Sequence, residues 1–309
     1  MEIMLTDNYV QTFQLESSNL RGRVVRIGSI IDEVLNAHQY PKPVAHLVAE
    51  TMTLCLALSS MLKYDGIFTL QAQGDGPIKM LASDVTSSGD VRACATFDKD
   101  RFQTSREQLS ALKATESSQN HLAQYLGKGY IAFTVDPSGN EDRYQGIVEL
   151  QGASMIDCVQ HYFNQSEQIG TGIKMAVGQR DDKWRACAIM LQHMPEDEAN
   201  PQSNLDEDDW RRTMILLDSC TEDEMLDETL ESDQLLIRLF HEEGIRTFDR
   251  KAVQQNCRCD KGRVENILRT MSDDDIQYMA KNGKITMTCE FCSKEYIYDP
   301  KEFLKNETS

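Results

Sequence analysis

The 309-residue chain is 40% apolar, enough for one large domain plus a smaller one. Its net charge of −18 sets nucleic acid aside as a partner, because phosphate binding needs a basic surface. The longest strongly apolar run, Thr51 to Leu62, stops well short of the roughly 20 residues of a membrane helix, so neither a span nor a membrane partner is expected.

The first residues, Met1-Glu2-Ile3-Met4-Leu5-Thr6-Asp7, lack the basic and apolar stretches of a secretion signal. A cytoplasmic protein with reduced thiols is therefore predicted, and nine cysteines, an odd number, fit poorly with a disulfide framework. Cys55, Cys94, Cys158, Cys187 and Cys220 stand in apolar or mixed surroundings, where free cysteine serves as a small hydrophobe.

Residues 1–195 read as one mixed domain. Arg21 to Gly28 alternates like a half-buried strand, and Val44 to Leu62 carries apolar residues at helical spacing, among them Leu47, Leu54 and Leu58. Gly66 to Gly74 and Ile78 to Ser83 flank the turn Gly74-Asp75-Gly76-Pro77 as a hairpin, and Val91 to Phe97 adds a strand. A second hairpin, Tyr130 to Val135 and Tyr144 to Leu150, encloses the turn-rich Asp136-Pro137-Ser138-Gly139-Asn140. Met155 to Ser166 reads as a helix and Trp184 to Gln192 as a last strand. Strands gathered in hairpins with a few helices make an α+β domain.

Catalytic patterns are missing from this stretch. Gly170-Thr171-Gly172 and Gly127-Lys128-Gly129 depart from the phosphate-loop pattern and are predicted as turns. His241-Glu242-Glu243-Gly244-Ile245 lacks the second histidine of a zinc protease, which leaves His241 as a helix-end residue, and no serine sits in a nucleophile elbow. An enzyme is not expected.

Composition changes after Pro195. Glu196 to Asp233 holds fifteen acidic residues against Arg211 and Arg212, thirteen of the chain's net negative charges. Residues 196–250 are nevertheless predicted as a helical linker. Trp210, Met214 and Leu217 share one helical face, Thr221-Glu222-Asp223-Glu224 has the form of a capping box, and Ser232 or Asp233 is placed to cap a helix bearing Leu235, Leu236, Leu239 and Phe240, stopped at Gly244. Such a segment either rests permanently on the domains or is held marginally and can be released.

Residues 251–309 form the third part. Cys257-Arg258-Cys259 and Cys289-Glu290-Phe291-Cys292 are two close pairs of soft ligands separated by twenty-nine residues, the spacing of a tetrahedral zinc site. Ser272 followed by Asp275 starts a helix with Ile276 and Met279, ending at Gly283; Lys284 to Cys289 reads as a strand and Tyr296-Ile297-Tyr298 as its return. Fewer than ~70 residues with so little apolar material rarely fold without a staple. Structural zinc contributes about 10 to 16 kcal/mol of apparent binding free energy, so removing it is predicted to unfold the module. Arg258, Lys261, Arg263, Lys284 and Lys294 lie near enough in sequence to favour thiolates, the form that oxidants convert to disulfides. From these residues the site reads either as a permanent zinc ribbon for protein interaction or as a switch. A thiol oxidoreductase built on Cys289-x-x-Cys292 lacks the βαβ setting of a thioredoxin-like motif.

The pairing of Cys257-x-Cys259 with Cys289-x-x-Cys292 at the C-terminus resembles the redox-regulated heat-shock holdases, the 33 kDa chaperonin family. Gly74-Asp75-Gly76-Pro77, Arg143-Tyr144-Gln145-Gly146-Ile147-Val148 and Tyr162-Phe163-Asn164-Gln165-Ser166-Glu167-Gln168 also look like family segments. The resemblance implies an ATP-independent chaperone, inactive while reduced with one zinc on Cys257, Cys259, Cys289 and Cys292. Oxidation would form the disulfides Cys257-Cys259 and Cys289-Cys292, release zinc, unfold the module and loosen the linker. The protein would then hold unfolding clients, often as a homodimer, and pass them to ATP-dependent foldases. In that scheme Trp210, Met214, Leu217, Leu236, Leu239 and Phe240 are the candidate client-binding residues, and the acidic residues keep the complex soluble. The very acidic linker and its additional Cys220 depart from the family pattern and leave that thiol's part in switching open.

Overall fold

The computed structural model describes residues 7–18, 20–111, 121–139, 142–163, 169–193 and 207–304. The expected turn at Asn140, the helix end at Ser166, the family segment 164–168 and the acidic residues 196–206 lie outside the described residues. The chain divides into two compact units between Gln255 and Asn256.

The first unit opens with strands β1 (Tyr9–Leu15) and β2 (Leu20–Ile27), followed by helices α1 (Ser29–Asn36) and α2 (Lys42–Ser59). Fourteen of the eighteen residues of α2 are buried, so the helix has no solvent face and must be covered on all sides. Three antiparallel strands come next, β3 (Gly66–Gly74), β4 (Ile78–Thr86) and β5 (Asp90–Phe97), then helices α3 (Lys99–Ala111) and α4 (His121–Leu126). The hairpin β6 (Gly129–Pro137) and β7 (Tyr144–Glu149) precedes α5 (Met155–Tyr162), whose Ser154 and Asp157 form a capping box. A further hairpin, β8 (Thr171–Arg180) and β9 (Lys183–His193), leads to α6 (Glu207–Ser219), α7 (Glu222–Leu226) and α8 (Ser232–Phe240). Strands β10 (Ile245–Ala252) and β11 (Gln254–Gln255) end the unit.

These strands make a five-stranded sheet ordered β10-β1-β2-β9-β8 and a six-stranded sheet ordered β11-β5-β4-β3-β6-β7. Helix α2 packs between them, touching β4, β5 and β3 on one side and β9, β2 and β8 on the other, which yields the α+β class expected. Strand β10 pairs antiparallel with β1, and two residues later β11 pairs parallel with β5, so one continuous segment joins both sheets. The strand runs through the 250/251 position expected as a domain boundary.

Gly170-Thr171-Gly172 is not a turn: Thr171 begins β8. A Cβ on Gly172 would lie 2.3 Å from Met214 Sδ, so the glycine serves the docking of α6 on the strand. Gly22 is required likewise, since a Cβ there would lie 2.0 Å from the Phe13 ring. On this outer face α6, α7 and α8 cover the five-stranded sheet, burying Phe13, Leu15, Leu20, Val24, Ile189 and Leu191. Phe240 stacks on Phe13 with ring centroids 6.3 Å apart.

The capping box of Thr221 and Glu224 forms as expected. Ser232 and Asp233 do not cap α8; Glu231 stands at the cap without a side-chain bond. Their polar groups are engaged by β1 instead: Ser232 Oγ shares a 2.6 Å hydrogen bond with Tyr9 Oη, and Asp233 Oδ1 accepts one of 3.0 Å from Gln11 Nε2. Gly244, at φ 65, closes a single 3-10 turn over His241–Glu243 after α8, so the stop lies where expected.

Phe240 is fully buried, and truncating it leaves a cavity that typically costs about 3–5 kcal/mol. Phe240→Ala is expected to cut amide protection in α6–α8 far more than in α2, as read by hydrogen exchange; equal loss in both would show that the linker helices are not a separate stability layer.

Candidate metal centre

The second unit is small. Two helices, α9 (Lys261–Thr270) and α10 (Asp273–Met279), precede the hairpin β12 (Ile285–Thr288) and β13 (Glu295–Tyr298). Its core is Leu268, Ile276, Ile285, Tyr296, Tyr298 and Phe303, while Ile267, Tyr278 and Ile297 are exposed. Ser272 caps α10 by accepting from Asp275 N–H, as its spacing implied. That helix ends at Met279 rather than at Gly283, because Lys281 and Lys284 bridge each other across a tight turn with Asn282 and Gly283 at positive φ.

Each cysteine is placed by local structure. Asp260 accepts from the N–H groups of Gly262 and Arg263, starting α9 immediately after Cys259. Cys289 leaves β12 into a knuckle closed by Ser293 N–H on Cys289 O at 2.8 Å and Cys289 N–H on Lys294 O at 3.0 Å, with Ser293 in the left-handed region. Backbone N–H groups of Phe291 and Cys292 bond the Cys289 sulfur. The result brings all four sulfurs within 4.8 Å of one another, with Cys257 to Cys289 at 3.7 Å and Cys259 to Cys292 at 3.5 Å. A tetrahedron with metal–sulfur bonds of about 2.3 Å has edges of about 3.8 Å. The four sulfurs can hold a metal ion, and the donor set is compatible with zinc.

The electrostatics of the group point the same way. Burial raises the Cys259 thiol, but the Tyr296 hydroxyl, donating at 3.2 Å, and the neighbouring thiols outweigh it and bring the pKa down to about 7. Burial pushes Cys289 and Cys292 up, Cys292 well above the ordinary thiol range. One thiolate is thus stabilised at the expense of its neighbours, and four require a cation among them. Two of the five basic residues expected to favour thiolates face carboxylates, Lys261 at 3.6 Å from Glu265 and Arg263 at 3.3 Å from Asp260, while Lys294 Nζ lies 5.2 Å from the centre of the Tyr296 ring. Tyr296 performs that role and escaped the sequence reading, although its alternation with Tyr298 on the return strand is the pattern that aims it inward.

The six candidate client-binding residues lie together on the first unit. Leu217, Leu236, Leu239 and Phe240 are buried against the five-stranded sheet, and Trp210 and Met214 are half-buried beside them. Trp210 meets the His193 ring edge-on at 4.4 Å. Cys220 is buried in the same layer, its thiol pushed up to about 11 by burial.

A family model described as Hsp33 protein matches residues 8–299. The 33 kDa chaperonin of Caulobacter vibrioides strain NA1000 is 37% identical over 299 residues, covering 95% of each chain. That of Pseudomonas fluorescens strain Pf0-1 is 34% identical, covering 97% of this chain and 93% of its own. The solved structure of the 33 kDa chaperonin from Thermotoga maritima superposes with a TM-score of 0.77 at 18% identity, over 96% of this chain and 97% of that one, and supports the fold.

Two outcomes follow from the site. Tyr296→Phe should weaken zinc binding by about tenfold, the usual effect of losing a group that supports a ligand, as measured by competition with a chromophoric chelator; unchanged affinity would remove Tyr296 from the site. Because metal displaces protons from the thiols, affinity should fall steadily as pH is lowered from about 8 to about 5, the loss steepening below the Cys259 pKa of about 7; a flat profile would mean that the sulfurs are not the ligands.

Proposed function

The chain belongs to the Hsp33 protein family, and from that premise we propose that it is a redox-regulated, ATP-independent chaperone that holds unfolding proteins. In the reduced state one zinc would sit on Cys257, Cys259, Cys289 and Cys292 and keep the second unit folded. The observation that carries this reading is the pairing of a four-sulfur site with a small apolar core, a cluster of six buried hydrophobic residues among those described. A module whose fold rests on its ligands is one whose fold their oxidation can remove.

Peroxide supplies the oxidising equivalents. Two thiolates of Cys257 and Cys259 lose two electrons and form one S–S bond, while one peroxide takes up those electrons with two protons and becomes two waters. Cys289 and Cys292 do the same with a second peroxide, and Zn2+ leaves because no thiolate remains. Cys257 lies 3.7 Å from Cys289 and Cys259 lies 3.5 Å from Cys292, contacts that run across the two segments. Disulfides formed within each segment would abandon those contacts, which favours unfolding over a cross-linked module.

Loss of the module then loosens the linker. Helices α6, α7 and α8 span thirteen, five and nine residues, too short for independent stability, so they depend on the sheet beneath. Release would expose Trp210, Met214, Leu217, Leu236, Leu239 and Phe240 to clients, while the linker carboxylates keep the complex dispersed. The oxidised protein would act as a homodimer in the cytoplasm and yield its clients to ATP-dependent foldases once reduced. Chaperones of this kind perform no chemistry on their clients, which fits the absence of a catalytic constellation in the sequence.

Peroxide with mild heating should release one zinc per chain, lower the helical circular dichroism and switch on suppression of a heated client's aggregation, all reversed by a thiol reductant. Suppression of equal strength before and after oxidation would favour a constitutive zinc-ribbon interaction module instead.

A further inference from the structure

We propose that the outer face of the five-stranded sheet, once uncovered, selects acidic amphipathic segments of unfolding proteins, and that the linker is the built-in occupant showing what fits. This rests on the holdase reading above and adds the chemistry of the preferred client.

Four of the five strands in that sheet present a cation to the linker. On β8, Lys174 Nζ donates to the Asp218 carbonyl and Arg180 pairs with the Asp223 carboxylate. On β9, Arg185 pairs with Glu228 at 2.9 Å, and on β2, Arg26 donates to the carbonyls of Asp227 and Leu230. On β10, Arg250 lies 2.8 Å from Glu231 and 3.5 Å from Asp233. In a chain of net charge −18 this is a positive surface, placed under its most negative segment. Phe13, Leu20, Val24, Ile189 and Leu191 fill the space between the cations.

The cations do not weigh equally. The linker partners of Arg180 and Arg185 are themselves exposed, 85% for Asp223 and 61% for Glu228, and such pairs add little affinity. What decides is that the Arg26 and Arg185 side chains are only 4% and 7% exposed beneath the linker, each also paired with Asp7 of the first unit. When the linker leaves, water hydrates the guanidinium N–H groups that Asp7 does not take. Any segment that covers them again must bring acceptors or leave buried donors unsatisfied. Main-chain carbonyls, which any segment carries, serve Arg26, whereas Arg185 takes a carboxylate from the linker; a lysine-rich segment brings repulsion there instead, so the face discriminates by charge. The carbonyls that Arg26 uses lie in the turn between α7 and α8, one at the C-cap of α7 and one just before the N-cap of α8. A short acidic helix followed by an open turn therefore meets both requirements.

The test uses the full-length oxidised protein and two labelled synthetic peptides with identical apolar residues, one bearing glutamates and the other lysines on the polar face. Fluorescence anisotropy at low salt should show the acidic peptide binding at least about tenfold tighter, a gap that narrows as salt is raised. Arg185→Gln should shrink that gap. Because this variant can disturb linker docking, the rim variant Lys174→Glu/Arg180→Glu, altered only at partly exposed positions, should shrink it too. Equal affinities, or a preference for the lysine peptide, in a protein that still suppresses aggregation would overturn the inference and leave the holdase reading standing. Binding of neither peptide with suppression intact would overturn it as well. A protein that neither suppresses aggregation nor binds either peptide would overturn both.

Discussion

Four cysteine sulfurs within 4.8 Å of one another cannot all be thiolates unless a cation shares the space. Much of the second unit follows from that constraint. Its hairpin presents Cys289 with Cys292, the segment before its first helix presents Cys257 with Cys259, and its apolar core is a cluster of six buried residues among those described. In larger domains a metal supplements a core, whereas here the core is small beside the site.

The first unit uses the opposite strategy. Helix α2 is buried between two sheets, and the thiols of that core are inert, since burial pushes Cys55 up to about 12 and Cys158 up to about 11 and both stay protonated. Upon this inert body rests a second, thinner layer of linker helices, joined to it by the stack of Phe240 on Phe13 and by buried arginines reaching upward. Arg212 binds Glu243 at 2.7 Å and holds that carboxyl below the usual range, a tie between α6 and the turn following α8. The core and the linker helices are thus different layers of the same unit.

The clearest sequence signals came from patterns that need no distant partner. Gly66 to Gly74 is a strand with the expected ends, Thr221 and Glu224 close a capping box, and the cysteine spacing locates the metal centre. What escaped depends on elements far away in the chain. Strand β8 loses its alternation because Gly172 and Gly178 make room for Met214 and Leu226 of the linker helices. Strand β10 is exposed along most of its length, so no apolar periodicity marks it. Tyr9 and Gln11 on β1 are polar on a face otherwise lined with hydrophobes, since they bond Ser232 and Asp233. Arg26 and Arg185 read as surface cations until the linker is laid over them.

Strand β10 bears on how far a local collapse can travel. It lies between the linker helices and the first cysteine in the chain, it is an edge strand zipped to β1 on one side, and it continues through β11 into the other sheet. On the proposed switching, a disturbance arriving from Cys257 would have to unzip two ladders in succession before it reaches α8. The segment would then act as a mechanical fuse, the β11 pairs giving way before those of β10.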